Sequence, residues 1–208
     1  MISVCPTVTA YDEATYRSQL ELITVFAKRI HIDVMDGVFT ETTSPAVHAM
    51  WWPSKVDVDI HLMHQDPMAV LEDIVAKRPR LTIVHHEAAH VSSFLHAMHE
   101  HRLRVGIALL ADTPVEVLSH YINIVDHVLI FSGNLGHHGG HADLGLLSKV
   151  HAIRAMNQHI EIGWDGGISP ENIQQIADAG VTVCNVGSAI HHAESPQSAY
   201  ENLTRLVQ

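Results

Sequence analysis

The sequence predicts an α/β protein built as a single (β/α)8 TIM barrel over residues 1–208. Three observations lead there. Eight short β-branched runs recur along the chain, stretches with helical spacing of apolar residues separate them, and polar residues collect at the C-terminal ends of several runs. An open doubly wound sheet is the structural alternative. It is weaker, because it would gather the polar residues at one switch point instead of around a ring.

The runs are Ile2 to Val8, Ile30 to Met35, Val56 to Met63, Leu81 to Glu87, Arg104 to Leu109, His127 to Phe131, Ile160 to Trp164 and Val181 to Val186. Between them, DPMAVLEDIVAKR (66–78), TPVEVLSHYINIV (113–125) and SPENIQQIADAG (169–180) each place a Ser, Thr or Asp cap before a proline, then continue with helical periodicity. Cys5 and Cys184 lie inside apolar runs without metal-binding spacing and read as small core residues. Asp33 and Asp36 end the second run, His61 the third, Glu87 the fourth, Ser132 the sixth, Asp165 the seventh, and Gly187-Ser188 the eighth.

Composition narrows the function. A net charge of −11 lacks the clustered Lys and Arg of a nucleic-acid footprint. No run of eighteen apolar residues spans a bilayer, and the N-terminus lacks a basic segment leading into a long apolar stretch, so a cytoplasmic location is expected. Neither a Gly-x-Gly-x-x-Gly fingerprint nor a P-loop is present. The 19 histidines are unusual, but those at positions such as His96, His99 and His101 read as solvated.

Two constellations carry chemistry. Strand residues two apart face the same way, so His31 and Asp33 form a platform pointing into the barrel. Asp59 and His61 repeat that spacing on the next run, and Asp165 approaches from a distant one. Either pair alone is an ordinary hydrogen-bonded structural site. Convergence of three elements, with imidazoles and carboxylates together, suits one divalent Zn, Mn or Fe ion. The second constellation is glycine-rich: Gly139-Gly140, Gly166-Gly167 and Gly187-Ser188 follow the last three runs, where barrels of this kind bind phosphate through backbone N–H groups.

The segments HIDVMDGVF, DIHLM, VHHEAAH, GIALLADTPVEVL, DGGISPENI and NVGSAI, in that order, resemble the ribulose-phosphate 3-epimerase family over nearly the whole chain. The resemblance implies a (β/α)8 barrel that interconverts ketose phosphates differing at C3. It implies metal ligation by His31, Asp33, His61 and Asp165, with Asp33 and Asp165 as the acid and base on opposite faces of the substrate. It implies substrate contacts from Thr7, Met35, Met63, His85, Gly139, Gly140, Gly166, Gly167, Gly187 and Ser188, and a homo-oligomer. A pentulose 5-phosphate is the first expectation for the ligand. A hexulose 6-phosphate such as allulose 6-phosphate, or a non-catalytic barrel holding metal and sugar phosphate, are the alternatives. A related decarboxylase reading fails because Asp33-Val34-Met35-Asp36 supplies no lysine.

The chain also departs from the family's pattern. Thr7 stands for a serine, Thr40-Glu41-Thr42 for Val-Pro-Asn, Leu110-Ala111 for Asn-Pro, and Phe131 for a methionine. The segment Leu135-Gly136-His137-His138-Gly139-Gly140-His141 replaces Pro-Gly-Phe-Gly-Gly-Gln, so His137, His138 and His141 face either substrate or water. The adjacent Trp51-Trp52 is read as a subunit anchor or a buried helix face.

Overall fold

A computed structural model describes residues 2–137 and 139–208. Eight parallel strands close into a barrel: β1 Ser3–Val8, β2 Arg29–Met35, β3 Asp57–Met63, β4 Leu81–His85, β5 Val105–Leu109, β6 His127–Phe131, β7 Glu161–Asp165 and β8 Val183–Val186, each paired with the next and β8 with β1. All eight expected runs are strands. The fourth stops at His85 instead of Glu87, because the chain turns there: the Ala88 N–H donates to His85 O and the Ala89 N–H to Gln65 O.

The crossovers hold α1 Glu13–Ile23, α2 Leu71–Lys77, α3 Val91–Glu100, α4 Leu147–Met156 and α5 Ile173–Asp178, and α6 Ser188–His191 and α7 Pro196–Leu206 follow β8. Side-chain caps start several of these segments. Asp12 accepts from the Thr15 N–H ahead of α1, and Ser195 from the Ser198 N–H ahead of α7. Two crossovers lack an α-helix. After β2 there is only a 3-10 turn, Val47–Ala49, and the segment expected as a helix at 113–125 forms the 3-10 turns Val115–His120. Val115, Val117, Ile122 and Ile124 restrict their own side-chain rotamers against a preceding helical turn, which weakens a long α-helix here. Trp51-Trp52 lies outside any helix: Trp51 is part exposed with Arg17 over its ring, and Trp52 packs partly buried on the core.

Alternation along the strands divides the core in two. Outward residues such as Ile30, Ile32, Val34, Ile60, Leu62, Ile107, Ile130, Ile162 and Trp164 meet the helices in one large apolar shell. Inside the barrel the apolar cluster is small, comprising Leu81, Ile83, Ala108 and Leu129. Polar residues occupy the levels on either side of it.

At the N-terminal end of the barrel, Arg29 forks onto Glu161 at 3.0 and 2.8 Å and reaches Asp59 through Nε at 2.8 Å. Arg80 bonds Asp59 at 3.0 Å, and His127 Nδ1 lies 3.0 Å from Glu161 Oε1. This corrects one expectation from the sequence. Asp59 shares a face with His61, but its carboxylate belongs to the ionic base of the barrel and not to the site at the other end. The charges satisfy one another there, as buried ions require.

Candidate metal centre and active site

Strand register assembles the site. Asp33 on β2 stands level with His61 on β3, with His31 two residues deeper on the same face, and closure of the barrel brings Asp165 of β7 across to them. Asp33 Oδ1 is 3.0 Å from His61 Nδ1 and 3.4 Å from His31 Nε2. Asp165 Oδ2 is 3.4 Å from His31 Nε2 and 3.5 Å from His61 Nδ1. One donor atom from each of the four residues lies within 4.8 Å of all the others.

These donors fit a divalent cation. Four ligands about 2.0–2.1 Å from one ion in a tetrahedron are about 3.3–3.4 Å apart, close to the four separations measured. His31 is fully buried, and neither of its ring nitrogens has a hydrogen-bond partner among the described residues. A buried imidazole that faces two carboxylates at 3.4 Å without a well-formed hydrogen bond to either is costly unless it binds something.

The electrostatics agree. Burial pushes the Asp33 and Asp165 carboxyls up, but the interactions with His31 and His61 outweigh it and hold both below the usual range. Burial pushes His31 down, and the attraction of Asp165 and Asp33 reverses this and raises it to about 10. Two buried carboxylates therefore demand positive charge, which either imidazole protons or a divalent cation can supply.

Further side chains hold the four in place. The Thr9 hydroxyl donates to Asp33 Oδ2 at 2.6 Å, and Gln19 in turn fixes the Thr9 backbone through both its N–H and its carbonyl. Behind His61, its Nε2 is 2.8 Å from His85 Nε2, and His85 Nδ1 is 3.4 Å from Glu87 Oε2. Glu87 also accepts from the Leu110 N–H at 3.1 Å and from the Thr113 hydroxyl.

Burial lowers His85 to about 4 despite Glu87. A neutral His85 with its proton on Nδ1, the nitrogen that faces Glu87, accepts at Nε2 from the His61 Nε2–H. That leaves the Nδ1 lone pair of His61 facing the carboxylates. Such a carboxylate–histidine relay fixes the tautomer and orientation of a metal-binding imidazole.

Above this cluster is a cavity of about 40 Å³ whose walls include Thr7, Met63, Gly139, Gly166, Gly167, Gly187 and Ser188 from the expected substrate contacts. Gly140 lies just outside it, in an adjoining groove with His141. Met35 and His85 are buried away from these walls: Met35 Sδ meets the Thr42 hydroxyl at 3.1 Å, and His85 stands behind His61. His137 is on the cavity wall, and His138 lies outside the described residues.

Gly166 and Gly167 permit close packing of the β7 loop on the β6 loop. An added Cβ would lie 2.1 Å from Gly133 N and 2.0 Å from Ala142 N, and φ is +111° and +70°. The replaced segments also contact one another, since the Thr42 hydroxyl donates to Gly136 O at 2.7 Å. Phe131 covers the imidazoles, with ring centroids 5.7 Å from His61 and 6.0 Å from His85.

Sequence reasoning missed Thr9 and Asn185 on the cavity wall. A small polar residue near the end of a strand carries no distinguishing local signal.

A family model for the ribulose-phosphate 3 epimerase family matches residues 3–191. The chain belongs to that family. Among curated relatives, ribulose-phosphate 3-epimerase of Treponema pallidum is 34% identical over 171 residues, covering 78% of this chain and 78% of the relative. The ribulose-phosphate 3-epimerase of Schizosaccharomyces pombe is 29% identical over 212 residues, covering 98% and 93%.

Solved structures confirm the fold. KGPDC from Streptococcus mutans superposes with a TM-score of 0.76 at 11% identity over 100% of this chain and 97% of that one. The 3-hexulose-6-phosphate synthase from Salmonella typhimurium gives 0.73 at 14% identity over 99% and 98%. Thr42 bonds the loop that brings Gly136, His137 and Gly139 to the cavity wall, and the four-residue cluster lies beneath that cavity.

Proposed function

We propose that this chain inverts C3 of a pentulose 5-phosphate, interconverting D-ribulose 5-phosphate and D-xylulose 5-phosphate. The observation that carries the reading is the pair Asp33 and Asp165, which come from separate strands, flank one buried histidine pair and both line the cavity. Epimerisation needs a carboxylate on each face of the substrate. One aspartate takes the C3 proton, and the C–H electron pair moves onto the C2 carbonyl to give an enediolate. The other aspartate then delivers a proton to the opposite face of C3.

His31, Asp33, His61 and Asp165 would hold one divalent ion, Zn, Mn or Fe. When bound, it supplies positive charge that offsets the negative charge developing on the C2 and C3 oxygens. Thr9 keeps Asp33 oriented, and the relay from Glu87 through His85 does the same for His61. The cavity wall contains neither Lys nor Arg among the described residues. Backbone N–H groups of the glycine loops and the Ser188 hydroxyl are then the donors for the phosphate.

The test follows C3 by NMR in deuterated water with D-ribulose 5-phosphate and allulose 6-phosphate. The parent should incorporate deuterium while forming D-xylulose 5-phosphate, with a preference for the pentulose. Asp165→Asn with its metal retained should nearly abolish epimerisation yet keep slow exchange into a single C3 epimer through Asp33. Near-parental epimerisation by metal-loaded Asp165→Asn would overturn the two-aspartate mechanism. Preference for the hexulose would overturn the substrate assignment.

A further inference from the structure

Asn185 is 2% exposed, and neither its amide oxygen nor its amide nitrogen has a hydrogen-bond partner among the described residues. An amide is seldom buried this way unless a ligand or water completes it. Its register partner on β7 is Asp165, so the two side chains share the inner face of the barrel, and Asn185 lines the cavity above the cluster. Two residues further along the same face of β8 is Gly187, where an added Cβ would be 2.7 Å from Thr7 Oγ1. The unpartnered amide therefore sits between the aspartate that works on C3 and the glycines that take the phosphate.

We infer that Asn185 is a specificity-determining residue that hydrogen-bonds the C4 hydroxyl of the substrate. The assignment rests on the proposed epimerase reading. In a pentulose 5-phosphate two carbons separate C3 from the phosphate ester, and only C4 carries a hydroxyl. That hydroxyl donates one hydrogen bond and accepts another, matching the carbonyl and NH2 of one amide. C4 keeps its configuration while C3 inverts, so Asn185 holds the substrate at a fixed point through both half-reactions. An apolar side chain would fit the buried wall of β8 as well, but it would not distinguish a hydroxylated C4 from a methylene.

The experiment compares kcat/KM for D-ribulose 5-phosphate and its 4-deoxy analogue in the metal-loaded parent and in Asn185→Leu. The parent should favour the hydroxylated substrate by roughly 10- to 100-fold, and Asn185→Leu should lose that preference by slowing on the hydroxylated substrate alone. The ratio within one preparation does not depend on how much of the variant is folded, and Asn185→Ala provides a second, smaller replacement read in the same way.

The substrate-free melting temperature of Asn185→Leu should equal or exceed the parent's, because an unpaired buried amide is removed. A parental ratio in both variants overturns the proposal and assigns the amide to a buried water. A parent that epimerises neither compound refutes the epimerase reading itself, and this assignment falls with it.

Discussion

Gly167→Ala tests whether loop packing supports the proposed phosphate binding. At φ +70° the new side chain meets a backbone cost of about 1–2 kcal/mol for the left-handed conformation. Its Cβ would also lie 2.0 Å from Ala142 N and 2.3 Å from His141 C. Ordinary contact between such atoms is about 3.5 Å, so the β6 loop has to retreat by roughly 1.5 Å. That loop carries Gly139 on the cavity wall, and a misplacement of about 1 Å can cost roughly 100-fold in rate.

Gly139→Ala is the control, because its φ of +83° imposes a similar backbone cost while no heavy atom lies within 4 Å of the new Cβ. Kinetics with D-ribulose 5-phosphate should show kcat/KM down about 100-fold in Gly167→Ala, mainly through KM, and down less than about 10-fold in Gly139→Ala. Both should melt lower by roughly 2–8 °C from the backbone term, with Gly167→Ala the lower of the two. Equal KM values in the two variants would refute the argument that the β7 loop positions, by direct contact, the β6 loop proposed to bind phosphate.

Two further outcomes are expected. His61→Ala should remain folded and lose most bound metal when measured by elemental analysis after dialysis, since one of four donors is gone; metal content equal to the parent's would reject its assignment as a ligand. Glu161→Gln should lower stability at neutral pH by about 3 kcal/mol in urea titrations by leaving Arg29 partly unpaired. Burial pushes the Glu161 carboxyl up, but hydrogen bonds from His127 and Arg29 outweigh this and hold it below its ordinary value of 4.5. Its stabilising contribution is therefore present above pH 4.5 and lost as the pH falls through the lower folded value, so the variant should show a shallower acid slope than the parent. Parallel slopes would show that Glu161 is not the group being titrated.

Much of the site was legible because its signals are local. Alternation with period two put His31 and Asp33 on one face without any knowledge of the neighbouring strands, and the spacing of β-branched runs implied a ring of strand ends. The helix expected at 113–125 failed for a local reason too, since its β-branched residues oppose what the cap and proline signals favour. Thr9 and Asn185 had no such signal. Each is placed by a partner 24 or 20 residues away, Thr9 by its hydrogen bond to Asp33 and Asn185 by its strand register with Asp165.

By itself, the sequence determined the alternating strands, the inward faces and the glycine pairs that follow the last three strands. Tertiary structure decided the level of each side chain along the barrel axis. His31-x-Asp33 and Asp59-x-His61 have the same spacing, yet both members of the first pair reach the upper cluster, whereas the second is divided between the two ends. The stagger between β2 and β3 pairs Asp33 with His61 and His31 with Asp59. Asp59 is thereby lowered to Arg29 and Arg80, and closure of the sheet carries Asp165 over the top. Periodicity within a strand sets only which way a side chain points; the height at which it meets its partners depends on the shear of the closed barrel, a property of all eight strands together.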